Sequence, residues 1–200
     1  MRPVSRGPVQ EIALPGVQLR LRHAATYPDP SQAHEQQVPL LVVGHEDPVS
    51  AAVHGVSRLE MGTVITPADT EAALWAQELT VQPGDALLFH TGWGRQWGTD
   101  DAGYVEGEPG PGSAMVDWLV DQRVSVTGCD TWSFGPVPAE DPDEPFVVPQ
   151  TLNAKHGIVV LENLHLAELA DARVGQFLFI VSHAKLRGAT GAWVAPLAIV

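Results

Sequence analysis

Two acidic residues in this sequence stand just after short apolar runs that are rich in β-branched side chains. Asp130 follows the run Val124–Gly128, and Glu162 follows the run Ile158–Leu161. Such runs are typical of buried strands in a parallel or mixed sheet. Because ligands in open α/β sheets bind beyond the carboxyl ends of the strands, both carboxylates are candidate acid–base catalysts. The same positions are equally consistent with structural roles, in which Asp130 caps a turn and Glu162 belongs to a hydrogen-bond network.

Polar and aromatic side chains near these positions can complete a binding site. Thr131 and Asn163 directly follow the two carboxylates, and each can orient its neighbour, donate a hydrogen bond to a substrate oxygen, or satisfy a turn. Aromatic faces stack on planar substrates, so the loop aromatics are candidate walls of the site. They are Trp93, Trp97, Trp132, Phe134 and Phe146. Part of this set would serve as ordinary core or loop anchors.

The elements that must position these residues alternate between strands and helices. Ala86–His90 has the pattern of a buried strand. Thr66 followed by proline predicts a helix over residues 67–77, because threonine caps helices and proline suits the first helical position. A second helix is predicted over residues 113–121. Residues 99–112 are acidic and rich in glycine and proline, which favours an exposed loop.

The chain is predicted to form a single α/β domain of the mixed α+β type. Its 200 residues suit one compact domain, and no internal repeat or linker divides them. We expect a partly closed mixed sheet with flanking helices over residues 1–200, in which residues 1–16 form a loose N-terminal arm.

Charge and cysteine content exclude several classes of partner. The formal net charge of −13 argues against nucleic acid or an anionic membrane surface. No apolar run is long enough to span a membrane, and the basic N-terminus lacks the apolar core of a signal peptide. The single cysteine, Cys129, excludes an internal disulfide and predicts a buried structural thiol in a cytoplasmic protein.

Motifs of a known family occupy five segments: Ile65–Asp69, Gly84–Trp93, Val126–Thr131, Leu161–Leu164 and Leu186–Gly191. In this order and spacing they resemble the metal-dependent cyclase family, which contains bacterial kynurenine formamidases, isatin hydrolases and some polyketide cyclases. The resemblance implies the family's swivelling β/β/α domain, a small-molecule substrate, and assembly as homodimers or homotetramers.

The family's metal-binding hallmark, His-x-Gly-Thr-His-x-Asp-x-Pro-x-His, does not occur in this sequence. Its nearest remnant is Gly44–Pro48, with His54 further along the chain. A second family histidine would fall at Pro149 or Gln150, and neither is a useful ligand for a divalent metal. Of the family's metal-binding set, Glu162 alone survives clearly, so we predict no bound metal and no other cofactor.

The predicted function is acid–base catalysis without a metal ion. Asp130 and Glu162 would act as acid and base, because burial raises the pKa of a carboxyl group towards neutral pH. The resemblance places His45 and His54 where the family keeps its metal-binding and catalytic histidines, so both are candidate imidazole catalysts. We therefore expect a lyase-type ring closure or dehydration of a small, polyketide-like natural-product intermediate.

Two alternatives stay open. A metal-dependent hydrolase of an amide or lactam bond, like an arylformamidase, would need His45, Asp47, His54 and Glu162 to hold zinc or manganese. A non-catalytic relative would instead bind a ligand or a partner subunit, with the acidic run Glu140–Glu144 as a contact surface.

Overall fold

The computed structural model of the chain describes residues 37–42, as a strand, and residues 57–200. The strands are β1 (Gln37–Val42), β2 (Val64–Ile65), β3 (Ala86–His90), β4 (Gly110–Pro111), β5 (Val126–Cys129), β6 (Val159–Leu161), β7 (Gln176–Ile180) and β8 (Leu197–Ile199). The α-helices are α1 (Pro67–Ala76), α2 (Asp101–Glu106), α3 (Ala114–Asp121), α4 (Val147–Thr151) and α5 (Ala167–Asp171). A short 3₁₀ helix covers Trp93–Gln96, and a π-helical turn, Leu152–His156, continues α4.

The central sheet is mixed, with the strand order β6-β5-β3-β1-β7-β8. The neighbouring strands β6, β5, β3 and β1 are parallel to one another. Strand β7 is antiparallel to both of its neighbours, β1 and β8. A separate two-stranded parallel ladder joins β2 to β4. This mixed α/β architecture with flanking helices confirms the predicted fold class. Because β3, β5 and β6 run parallel, their carboxyl ends meet at one edge of the sheet.

Strand β3 is buried on both faces of the sheet and has the bounds that the sequence predicts. Leu87 and Phe89 belong to one hydrophobic cluster, and Ala86 and Leu88 belong to another, as the alternation of side chains along a strand requires. Helices α1 and α3 cover the first cluster with Ala73, Leu74, Met115, Val116 and Leu119. Burial on both sides explains why this strand is apolar at successive positions.

Helix α1 begins where the sequence predicts. The Asp69 N–H donates to the Thr66 hydroxyl oxygen at 3.2 Å, and the Thr66 N–H donates to the Asp69 carboxylate at 2.9 Å. This reciprocal pair is a capping box, which satisfies two backbone donors at the start of the helix. Pro67 occupies the first turn, where its missing N–H leaves no bond unmade.

Replacing Thr66 by alanine should weaken this helix start. Thr66→Ala removes a capping acceptor and is expected to lower the free energy of unfolding by about 1 kcal/mol. Urea denaturation measures the change, and Thr80→Ala, at an exposed position outside the helices, is the matched control. Equal losses in the two variants would show that the capping box contributes nothing specific.

Residues 99–112 contain structure where the sequence predicts an exposed loop, so that prediction was wrong. Helix α2 and strand β4 lie in this segment, and Tyr104 and Glu108 are buried. The glycines of this segment allow two stretches of backbone to pack closely. A Cβ on Gly110 would come within 2.5 Å of the Gly135 carbonyl carbon, so the two backbones can approach only without a side chain.

Two further predictions concern the N-terminal arm and the lack of a membrane-spanning helix. The predicted loose arm, residues 1–16, lies outside the described residues. Within the described part, no helix combines the length and the apolar character that a bilayer crossing requires.

Candidate functional site

The carboxyl ends of β3, β5 and β6 bring the predicted carboxylates to one edge of the central sheet. The strand register pairs Phe89 with Cys129 and Gly128 with Leu161, so the three strands end within one residue of their neighbours. The residue that follows each strand therefore lies at this edge. These residues are Thr91, Asp130 and Glu162.

Asp130 is an internal anchor of this edge, with only 2% of its surface exposed. Its Oδ1 accepts hydrogen bonds from the Thr91 backbone N–H at 2.8 Å and from the Thr91 hydroxyl at 2.7 Å. Its Oδ2 accepts from the Gly94 N–H at 3.2 Å and lies 3.8 Å from His90 Nε2. These contacts hold the segment after β3. Both carboxylate oxygens are engaged and covered, which favours a positioning role, and the acid–base role that the sequence predicts for Asp130 stays a prediction.

Gly94 must lack a side chain for this anchor to form. A Cβ there would lie 2.8 Å from the Asp130 carbonyl oxygen and 2.9 Å from the Asp130 Cβ. We expect Gly94→Ala to push the loop away from the carboxylate and to lower the free energy of unfolding by about 1–3 kcal/mol. Thermal unfolding measures the change, with Gly191→Ala as control, because a Cβ there meets nothing within 4 Å. Equal stability of the two variants would contradict this assignment.

Glu162, unlike Asp130, is exposed at this edge of the sheet. Partial burial raises the pKa of Glu162, and the Ser133 side chain offsets only part of this effect. Glu162 can therefore meet a substrate, and its affinity for a proton is higher than that of an ordinary glutamate.

A third carboxyl group, which the sequence analysis missed, belongs to the same site. Glu108 is completely buried, and the Ser133 N–H lies 3.1 Å from each of its carboxyl oxygens. Burial raises the pKa of Glu108 to about 8, against the lowering effect of the Ser133 and Trp132 N–H groups. The charges of Glu162 and Asp130 raise this pKa further. Glu108 therefore carries its proton at neutral pH.

Close backbone packing around Glu108 explains its burial. A Cβ on Gly107 would lie 2.5 Å from Met61 Cγ and 2.6 Å from the Val137 carbonyl oxygen. The Glu108 backbone exchanges two hydrogen bonds with Val137, at 2.9 and 2.8 Å. The sequence pattern that could have indicated this burial is an acidic residue between a glycine and a proline, Gly107–Pro109. Such a segment suits close approach of the backbone, and its central side chain here points into the protein.

Tyr104 and Asn163 connect the turn after β6 to the same edge. The Tyr104 hydroxyl donates to Asn163 Oδ1 at 2.8 Å, and the Asn163 N–H donates to the Thr131 carbonyl oxygen at 2.8 Å. Asn163 has a φ of 56°, a left-handed conformation in which asparagine is enriched. Burial raises the pKa of Tyr104, so this hydroxyl stays neutral and donates. The structure thus places Asn163 in a turn, and its side-chain oxygen is engaged.

Thr131 and Cys129 are buried structural residues. Thr131 Oγ1 lies 2.7 Å from the Cys129 sulfur and 2.7 Å from the Ser133 carbonyl oxygen, and the Cys129 thiol lies 3.1 Å from that same oxygen. Burial raises the pKa of the Cys129 thiol well above its usual value, which keeps it protonated. The prediction of a buried structural thiol is confirmed. Thr131 has no exposed surface, and its predicted contact with substrate stays a prediction.

The predicted aromatic wall divides into buried and exposed rings. Phe134 is completely buried and packs edge-on against Phe89, with 5.9 Å between ring centroids. Trp93 is also buried, and its indole N–H donates to a backbone carbonyl. Both rings are buried in the core, and their predicted place in a substrate wall stays a prediction. Trp97 is 67% exposed, Phe146 is 42% exposed and Trp132 is partly exposed, so these three rings are accessible to a ligand.

The described residues do not fit a transition-metal site. Among them, no group of three or more histidine, cysteine, aspartate or glutamate side chains is arranged to hold a metal ion. The oxygens of Asp130 and Glu108 already accept N–H bonds, and Glu162 does not make a metal site by itself. The predicted catalysts His45 and His54 lie outside the described residues.

Comparison with known proteins identifies the relatives of this chain. A family model described as "Putative cyclase" matches residues 2–136. A solved structure described as a novel cyclase is 27% identical over 82% of this chain, with a TM-score of 0.67. An isatin hydrolase bound to the product analogue thioisatinate is 20% identical over 83% of this chain, with a TM-score of 0.62. Isatin hydrolase A from Ralstonia solanacearum is 20% identical over 86%, with a TM-score of 0.59.

The chain is shorter than these relatives. It spans 53% of the novel cyclase and 61% and 62% of the two isatin hydrolases. At 20% identity, the likeness to the isatin hydrolases shows the fold alone. The curated proteins include no significant match to this chain.

Proposed function

Because the chain belongs to the cyclase family, we propose that it is an enzyme in which Glu162 performs acid–base catalysis on a small carbonyl compound. The observation that carries this proposal is the position of Glu162, which is exposed at the carboxyl edge of the parallel strands. Ligands in open α/β sheets bind at this edge. Asp130 supports the site by fixing the segment from Thr91 to Gly94.

Ring closure with loss of water is the reaction that this arrangement favours. The Glu162 carboxylate would remove a proton from a carbon next to a carbonyl group, and that carbon would attack a second carbonyl carbon to form the ring. The resulting carboxylic acid would protonate the alkoxide to a hydroxyl group. Glu162 would then move a second proton from the same carbon to that hydroxyl group, which leaves as water while the carbon–carbon double bond forms. A raised pKa makes both steps accessible to one carboxyl group.

The substrate class that fits this chemistry is a polyketide-like intermediate with several carbonyl groups. Trp97 and Trp132 are the candidate aromatic residues that offer ring surface to a ligand. A planar or enolised substrate can stack on such faces. The proposed enzyme is therefore a lyase-type cyclase of natural-product synthesis that requires no metal.

A second candidate is hydrolysis of a cyclic amide, because two of the similar solved structures are isatin hydrolases. Glu162 would then remove a proton from the attacking water. The two reactions use the same carboxyl group but change the substrate mass in opposite directions, since dehydration removes one water and hydrolysis adds one.

Mass spectrometry of the product tests the choice. The purified protein is incubated with linear polycarbonyl compounds and, separately, with isatin. We expect a cyclic product one water lighter than its polycarbonyl substrate, formed far more slowly by Glu162→Gln. A product one water heavier than isatin, with no reaction of the polycarbonyl compounds, would contradict ring closure and favour the hydrolase.

A further inference from the structure

A cavity of about 740 Å³ is lined by residues of β5 and β6 and by the segment that follows β7. The carboxyl groups of Asp130 and Glu162 do not line it. We propose that this cavity binds a small organic anion, a carboxylate with an apolar body, between the cationic side chains of Lys185 and Arg187 and the apolar surface of β6. This binding site goes beyond the proposed function of Glu162 and does not depend on it.

The floor of the cavity is apolar. Val126 of β5 pairs with Val159 of β6, and Leu161 lies two residues further along β6. These three side chains therefore lie on one face of the sheet, and all three line the cavity. Val159 is 50% exposed although it belongs to a strand. The floor thus offers apolar surface from which a ligand can displace water.

The opposite wall of the cavity is the segment of residues 181–194. An isolated antiparallel bridge between His183 and Val194 closes the base of this segment. Within it, the Leu186 N–H donates to the Ala184 carbonyl oxygen at 3.0 Å, and His183 Nδ1 lies 3.0 Å from the same oxygen. The wall is therefore a folded loop with internal hydrogen bonds.

This wall carries positive charge that no acidic side chain of the cavity balances. Lys185 and Arg187 both line the cavity, and its lining contains no aspartate or glutamate. Neither cation forms an ion pair or a side-chain hydrogen bond with any residue of the described part of the chain. By contrast, Arg95 pairs with Asp171. Because acidic residues outnumber lysine and arginine by 24 to 11 in this protein, two unpaired cations at one cavity favour an anionic ligand.

The size and the lining together indicate the class of ligand. Pockets for small molecules have volumes of about 300–1,000 Å³ and combine an apolar lining with a few polar groups. The guanidinium group of Arg187 can bind a carboxylate through two parallel hydrogen bonds. Inorganic phosphate would satisfy the cations but would leave the apolar floor unused. A carboxylate with a short hydrocarbon chain matches both parts of the cavity.

Titration calorimetry of the full chain with hexanoate, octanoate, octanamide and inorganic phosphate tests the proposal. We expect octanoate to bind about tenfold or more tightly than octanamide, which lacks the charge. The affinity should rise about three- to fourfold for each methylene group from hexanoate to octanoate, since each added group is buried on the apolar floor. Inorganic phosphate should bind more weakly than octanoate.

A double variant locates the charge that recognises the carboxylate. Lys185→Gln with Arg187→Gln should weaken octanoate binding about tenfold or more. Arg123→Gln with Lys155→Gln is the matched control, because both residues are exposed, neither lines the cavity, and the net charge changes by the same amount. The control should bind octanoate with wild-type affinity.

Several results would overturn the proposal. They are the absence of octanoate binding to the wild-type protein, equal binding of octanamide, equal affinities in the two double variants, and no dependence on chain length. Association of two copies through this cavity would also overturn it, and would appear in sedimentation as a dimer that Lys185→Gln with Arg187→Gln dissociates.

If the double variant does not fold, amide resonances of the wild-type protein locate the ligand instead. Octanoate should shift the resonances of β6 and of residues 182–191. Strand β8 is the internal comparison, because Leu197 and Ile199 are exposed apolar residues outside this cavity. Shifts confined to β8 would show non-specific apolar binding and would overturn the proposal.

Discussion

Glu162→Gln is expected to lower kcat/KM by about 10²- to 10⁴-fold without loss of folding. Glutamine keeps the shape of the side chain, but it cannot take up or release a proton near neutral pH. The residue lies at the surface of the sheet edge, so the change of one oxygen to an amide group leaves the core intact. Steady-state kinetics with the substrate identified by product mass gives the ratio.

Glu168→Gln is the control for this experiment. Glu168 is an exposed glutamate of α5, so its loss changes the net charge by the same amount. We expect wild-type kinetics in this variant. Equal turnover in Glu162→Gln and Glu168→Gln would remove Glu162 from the mechanism, and a loss of activity accompanied by unfolding would assign it a structural role instead.

Asp130→Ala is expected to produce the largest loss of stability, about 3 kcal/mol or more in the free energy of unfolding. The substitution leaves three donors without their acceptor: the Thr91 N–H, the Thr91 hydroxyl and the Gly94 N–H. Each buried donor that loses its partner costs about 1–3 kcal/mol, and the three losses are not additive. Guanidinium denaturation measures the change in the midpoint and the slope.

Asp143→Ala serves as the matched control, because Asp143 is an exposed aspartate in the loop before α4. We expect this variant to unfold at the wild-type midpoint. If Asp130→Ala were equally stable, the carboxylate would not hold the segment after β3, and its burial would need another explanation. Folded but inactive Asp130→Ala protein would instead return Asp130 to the chemistry.

The sequence predicted the position of the carboxylates better than their roles. Asp130 and Glu162 both follow apolar runs, and the parallel pairing of β3, β5 and β6 places both at one edge. Their different roles depend on contacts from other segments. The Thr91 and Gly94 donors engage the buried Asp130, whereas Glu162 is exposed. Such donors come from residues distant in sequence, and local patterns do not report them.

The composition of residues 99–112 predicts an exposed loop, but Glu108 in this segment is buried. Glycine, proline and acidic residues are common in exposed loops. Here the glycines permit backbone contacts that a Cβ would block, and the acid between them is buried. The aromatic residues also show that residue type does not fix exposure, because Phe134 is buried whereas Trp97 is exposed. Residue type identified the candidates, and tertiary packing decided which of them reach a ligand.

We propose that Glu162 performs the chemistry at this edge without a metal ion. The most direct measurement is kcat/KM of chelator-treated protein, with its metal content determined by elemental analysis. We expect an unchanged kcat/KM at substoichiometric metal. Activity that is lost on chelation and restored by stoichiometric zinc or manganese would contradict it.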